Sequence, residues 1–167
     1  MSIYGYCRIS TAKQSIDRQI RNIKAEYPTA HIVQEAYTGT SIFRPEWLKL
    51  YRVLKAGDTV VFDSVSRMSR NAEEGFALYE DLYHKGIRLV FLKEHHIDTE
   101  TYKKALSGSI AMTGTNVDFI LKGINEYLMA LAKEQIKLAF EQSEKEVADL
   151  HQRTREEIGR ASCRERV

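Results

Sequence analysis

Four short apolar runs, near residues 2–8, 31–36, 58–64 and 87–93, alternate with stretches of helical periodicity near 12–26, 45–55 and 70–85. Apolar runs of this length bounded by turn residues read as strands. Parallel strands need a long crossover and a helix supplies it, so the alternation predicts a mainly parallel sheet. The expected fold class is α/β: a mainly parallel central sheet flanked by helices, followed by one long C-terminal helix. Asp58–Asp63 (DTVVFD) follows a stop at Gly57 and reads as a buried strand. Pro45 suits the first turn of the second helix, whose Trp47, Leu50, Tyr51 and Leu54 form one apolar stripe. His95 to Asn116 reads as a loop with a short strand or turn, broken at Gly108 and Gly114.

From about Thr115 a single helical pattern runs to about Glu156. Val117, Leu121, Ile124, Leu128, Leu131 and Leu138 recur at spacings of four and three, interrupted at Gln135, and make a seam for another helix. Such a helix is roughly 60 Å long and projects beyond a domain this small. Past Phe140 the apolar content falls, and Lys145, His151, Arg153 and Arg155 mix with Glu144, Glu146, Asp149 and Glu156. On charge alone that is a solvated helix end. The expected units are an α/β domain at 1–114, the long helix at 115–157, and a tail at 158–167.

The tail, IGRASCRERV, back-translates to ATCGGAAGAGCGTCGTGTAGGGAAAGAGTG. Preceded by the AG of a Glu157 codon, this reads as a short-read sequencing adapter, so the tail is expected to be non-native and the natural gene to continue differently. Arg160, Arg164 and Arg166 against Glu165 carry the whole formal net charge of +2. The remainder is neutral, so net charge gives no argument for nucleic acid, and any such face must be a local patch. The 167 residues suffice for one domain with a core. No apolar stretch approaches membrane-spanning length and no signal peptide precedes Tyr4, so a cytoplasmic location without membrane contact is expected. Cys7 and Cys163 make neither a disulfide framework nor a metal set, and Cys7 reads as a small core residue. His95-His96 reads as a polar loop, since chain neighbours face apart.

Chemistry concentrates in Tyr6-Cys7-Arg8-Ile9-Ser10-Thr11-Ala12-Lys13-Gln14, where the first strand runs into the first helix. Arg8 and Ser10 are two apart on a strand and share a face. The helix start behind them adds backbone N–H donors and a partial positive charge. Read alone, Ser10 is equally a helix N-cap. Arg67 and Arg70, one helical turn apart in Ser66-Arg67-Met68-Ser69-Arg70-Asn71, leave the third strand at the sheet edge where open α/β sheets bind ligands. Arg44 follows the second strand on the polar loop Gly39–Pro45. Each arginine alone is ordinarily a surface charge. Four of them with one hydroxyl at strand ends make a phosphate clamp.

YCRIS with Gln14, GTSIFRP and SRMSRN resemble the active-site signature, the mobile active-site loop and the second arginine motif of the serine recombinases, the resolvase/invertase family. Ile9 stands where Val or Ala is usual, and the likeness runs from residue 2 to about 157 with the motifs in family order. The resemblance implies a site-specific DNA recombinase that cleaves and rejoins strands through a 5′-phosphoserine. Ser10 is the nucleophile, Arg8, Arg67 and Arg70 complete the catalytic set, and neither metal, ATP nor another cofactor is needed. It implies substrate contacts from Gln14, Gln19, Arg44, Ser66, Arg153 and Arg155, the last two where the long helix crosses the minor groove. The partners implied are double-stranded DNA and further copies of the chain, as a homodimer and as a tetramer in the synaptic complex. A C-terminal domain, absent from these residues, would read the site. Family members often carry Asp where this chain has Ser66; Asp63 either substitutes for it or merely closes a strand. Two other readings stay open: a catalytically impaired DNA-binding or oligomerisation module, and a flavodoxin-like ligand domain, against which the chain offers no phosphate-cradling glycine loop.

Overall fold

The computed structural model describes residues 1–9, 13–36, 44–107 and 110–165, without the side chains of 9, 13–15, 147 and 163–165. Strands β1 (Ile3–Ile9), β2 (His31–Ala36), β3 (Thr59–Phe62) and β4 (Arg88–Phe91) form one sheet in the order β2-β1-β3-β4, every pair parallel. Helices α1 (Lys13–Glu26), α2 (Pro45–Val53) and α4 (Ala72–His84) lie on the crossovers, and α3 (Val65–Met68) is one turn between β3 and α4. The expected α/β alternation is the observed one. From β1 the chain moves outward to β2, then returns across β1 to β3 on the other side. The strand order therefore reverses between β1 and β3, and a crevice opens beyond their C-terminal ends.

Each helix has a local cause. Pro45 sits in the first turn of α2 and needs no N–H partner there, while Trp47 and Leu50 turn inward. Asn71 caps α4, its side chain accepting from the Glu74 N–H at 3.1 Å. Every residue of β3 is buried, as a central parallel strand covered on both faces requires. One face of the sheet packs Cys7, Val61 and Val90 against Ile16 and Ile23 of α1. The other carries the larger core, with Tyr6, Trp47, Phe62, Phe91 and Tyr79 linked by ring contacts between 5.1 and 6.2 Å.

The stretch after β4 departs from its sequence reading. His95–Ile97 forms a 3-10 turn and Thr99–Ser107 forms helix α5, where a loop with a strand or turn was expected. Only Thr99 and Tyr102 of α5 are buried, too few apolar positions to mark a stripe. Thr99 ties α5 to the sheet, its hydroxyl accepting from the Leu89 N–H at 2.9 Å. Gly108 lies outside the described residues.

The last helix, α6 (Asp118–Glu165), starts three residues later than expected and continues past Glu156. It docks on its own domain through Ile136, Ala139 and Phe140, none of them in the heptad seam. Gly75 of α4 makes room for this contact, since a Cβ there would lie 2.6 Å from the Phe140 ring. The seam residues Val117, Ile124, Leu128, Leu131 and Leu138 are exposed. Among the described residues no helix is long and apolar enough to cross a membrane.

Cys7 is fully buried on β1, and burial, with the nearby Asp63 carboxylate, pushes its thiol up to about 12. The thiolate is the reactive form, so Cys7 of the folded chain should resist iodoacetamide near pH ~8 and label readily in urea. Peptide mass mapping checks this, and equal labelling in both states would contradict it. The shift also has a stability sign. A thiol held above its unfolded value favours folding fully below that value, and this contribution is lost as pH rises toward about 12.

Candidate functional site

At the strand-order reversal Arg8 stands near the end of β1, while Arg67 lies in the α3 turn after β3 and Arg70 just beyond it. Arg8 is only 1% exposed; its Nη2 donates to the Ser66 carbonyl at 2.8 Å. Its Nη1 is buried with no hydrogen-bond partner among the described residues. Arg67 reciprocates, its Nη1 donating to the Arg8 carbonyl at 3.2 Å. Each arginine thus holds the other's backbone neighbourhood, locking the end of β1 to the α3 turn.

The other expected site residues divide between this crevice and its supports. Gln19 lies behind Arg8, wholly inside the domain: its amide accepts from the Arg8 N–H and donates to the Arg8 carbonyl, both at 3.1 Å. It brackets the Arg8 backbone on β1. Arg44, expected on a loop facing the phosphate, is 1% exposed at the N-cap of α2. Its Nη1 donates to the Arg67 and Met68 carbonyls at 3.3 and 3.2 Å and to the Tyr6 hydroxyl at 3.4 Å, bracing the α3 turn from within. Ser66 is half-buried, with its Oγ 2.7 Å from that of Ser64. Arg153 and Arg155 are exposed on α6. Ser10, residues 39–43 of the expected active-site loop, and the Gln14 side chain lie outside the described residues.

Three acids went unassigned to the site or were left open in the sequence. Glu35 on β2 is buried beside Arg8 in register, and its Oε2 accepts from the Trp47 N–H at 3.0 Å. Asp63 is 2% exposed; Asn22 Nδ2 donates to its Oδ1 at 2.9 Å and Lys93 Nζ lies 3.3 Å from its Oδ2. Glu94 Oε2 accepts from the Val65 N–H at 3.1 Å, anchoring the first residue of α3, and burial holds its carboxyl above the usual range. An acid inside or just after an otherwise apolar strand was the available signal.

Burial, then the charges of Arg44 and Arg70, pull the Arg8 guanidinium down to about 9, still charged at neutral pH. Arg67 is also lowered by burial, with Asp63 opposing the shift. Among the described residues, the buried carboxylates near Arg8, Arg44 and Arg67 include Glu35 and Asp63. A desolvated cation with an unused N–H is stabilised by an anion that brings acceptors. Beside the cluster a cleft of about 350 Å³ runs between Ser66, Arg67, Arg70 and Lys93 on one side and Glu146 and His151 of α6 on the other.

Fold and site together define an α/β domain that gathers arginines at the reversal of its strand order. The family model described as "Resolvase, N terminal domain" matches residues 3–146, and the chain belongs to the resolvase family. The transposon Tn21 resolvase of Escherichia coli is 31% identical over 91 residues, 54% of this chain and 47% of that protein. A resolvase of Clostridium perfringens (strain 13 / Type A) is 32% identical over 99 residues, 58% of this chain and 52% of that one. The chain thus spans about half the length of these curated relatives. A solved serine recombinase from Sulfolobus solfataricus is 19% identical, with a TM-score of 0.47, over 77% of this chain and 98% of its own.

Proposed function

We propose that this chain is the catalytic part of a site-specific DNA recombinase that cuts and rejoins strands through a covalent 5′-phosphoserine. The observation that carries the reading is the reciprocal Arg8–Arg67 clamp, with Arg8 two residues before Ser10 in the sequence and the buried Arg8 Nη1 without a hydrogen-bond partner among the described residues. Membership of the resolvase family supplies the reaction class. Ser10 Oγ attacks a DNA phosphate, an Oγ–P bond forms, and the P–O3′ bond breaks. The serine loses a proton and the departing 3′ oxygen gains one. A 3′ hydroxyl from the exchanged strand then attacks the phosphoserine and restores both groups. One phosphoester replaces another, so rejoining needs neither ATP nor a redox step, and guanidinium groups carry the charge that a metal would otherwise carry. Arg8, Arg67 and Arg70 face the phosphate, Arg44 and Gln19 hold the frame, and Arg153 and Arg155 reach DNA further along α6.

The test is covalent trapping on a pool of nicked duplexes of randomised sequence. The full chain should give an adduct that survives denaturation and maps to the Ser10 peptide, with a free 3′ hydroxyl. No adduct, an adduct elsewhere, or strict dependence on a divalent metal would overturn the reading.

Assembly as a dimer, and as a tetramer on DNA, rests on the exposed apolar seam of α6, which a second copy would cover. Replacing Leu128 and Leu131 together with glutamate should give a monomer by sedimentation. Retention of the parent's mass, or a monomeric parent at high concentration, would refute the seam assignment.

A further inference from the structure

Resting on the reading above, we infer that Glu144 is a positioning residue for Arg70, through which α6 holds the turn that presents this arginine to a phosphate. The turn Ser69-Arg70-Asn71 joins α3 to α4, and a hydroxyl closes it. Ser69 Oγ accepts from the Asn71 N–H at 3.1 Å and donates to the Asn71 carbonyl at 2.9 Å, so the residues on either side of Arg70 are tied together. The start of α4 leaves N–H groups without partners inside the helix. Asn71 takes the one at Glu74, at 3.1 Å. The one at Ala72, two residues after Arg70 and only 7% exposed, donates instead to Glu144 Oε2 at 3.0 Å, from 72 residues further along the chain.

A second contact joins the same face of α6 to the same turn. Phe140 lies four residues before Glu144, one above the other on the helix. A Cβ at Gly75 would fall 2.6 Å from the Phe140 ring and 3.1 Å from the Ser69 Cβ, so Gly75 is the thin layer between α6 and the turn. The Gly75 N–H donates to the Asn71 carbonyl at 2.9 Å, which fixes that layer to the residue after Arg70. The half-buried Arg70 lines the cleft of about 350 Å³ beside Arg67, and its other wall is α6 at Ser143, Glu146 and His151. Its guanidinium donates to no other group among the described residues, so its backbone decides where it stands. Loss of the Glu144 bond returns the Ala72 N–H to water and frees the turn, and the guanidinium then meets a phosphate less often in the reactive geometry.

The test compares Glu144→Ala, Glu144→Gln and Ile136→Val in the full chain, with adduct formation followed on the randomised nicked duplexes at saturating DNA. Glu144 is exposed, so its replacement leaves the core intact. Glu144→Ala should slow adduct formation about tenfold. Gel retardation by the same variant should change less than about threefold. Glutamine keeps an acceptor oxygen at the same reach and should restore the rate to within about twofold. Ile136→Val loosens the docking of α6 about two turns from Glu144, and should lower thermal stability while the rate stays within about twofold of the parent's. Independently of activity, the Arg70 backbone N–H order parameter should be near ~0.85 in the parent, below ~0.6 in Glu144→Ala, and restored in Glu144→Gln. An unchanged Arg70 signal in Glu144→Ala, a glutamine variant that fails to restore it, or an equal rate loss in Ile136→Val overturns the assignment and leaves Glu144 as a docking contact. A parent chain that forms no adduct defeats the recombinase reading instead, and the Arg70 signal still decides whether Glu144 holds the turn.

Discussion

A Ser10→Ala chain should fold with the parent's stability, associate with DNA as the parent does, and yield no covalent adduct. Removing a nucleophile deletes the bond-forming atom itself, so the expected loss is about 10⁴-fold or more, not a graded decline. The binding surface stays intact, because the arginines keep their mutual clamp and need no contact with that hydroxyl to do so. Gel retardation and denaturing electrophoresis on the same samples separate the two effects. A Ser10→Ala chain that still formed an adduct would move the nucleophile elsewhere. A variant that lost DNA association in proportion would mark Ser10 as a binding residue or a helix cap.

Arg8→Lys should lower cleavage by roughly 10²- to 10³-fold, the scale for losing one preorganised donor to a developing oxyanion. Lysine keeps the charge but not the fork. It can replace the bond to the Ser66 carbonyl or reach outward to a phosphate, not both in the fixed plane that Arg8 offers. DNA association should change less than about threefold, because phosphate contacts elsewhere on the chain dominate it. Arg67→Lys should behave alike, since its Nη1 is also spent on a backbone carbonyl. Arg44→Lys should differ in kind: with Arg44 buried under the α3 turn, the larger effect is on stability, by about 1–3 kcal/mol. Equal losses of binding and cleavage at all three positions would reduce them to ordinary backbone contacts.

What the sequence displayed follows from which forces act locally. Strand and helix alternation, Pro45 at the start of α2 and the buried run of β3 are short-range patterns, and they predicted the sheet. The strand-end arginines were legible for the same reason, since the end of a strand fixes where its next residues go. Gln19 and Arg44 were legible as polar residues near the motifs but not as internal braces. Their partners include backbone groups of Arg8, Arg67 and Met68, and no side-chain pattern records a backbone acceptor. Helix α5 was missed because two buried positions, Thr99 and Tyr102, make no period. The docking patch of α6 was hidden by the stronger heptad seam, although Ile136, Ala139 and Phe140 fall on a face of their own.

That patch makes α6 a lever with one fulcrum. Contact with the domain is concentrated between Ala132 and Phe140, joined by Glu144, whose carboxylate accepts from the Ala72 N–H at the start of α4. The seam side extends about 20 Å before the fulcrum, and Arg155 lies about 16 Å beyond Glu144. A tilt of about 15° at the Gly75–Phe140 contact would carry Arg155, about 22 Å away along the helix, by about 6 Å, more than the length of a hydrogen bond. On the proposed reading, a partner copy pulling on the seam would reset where the far end of the rod meets DNA, and the same rotation would open or narrow the cleft that Arg67 and Arg70 line with His151.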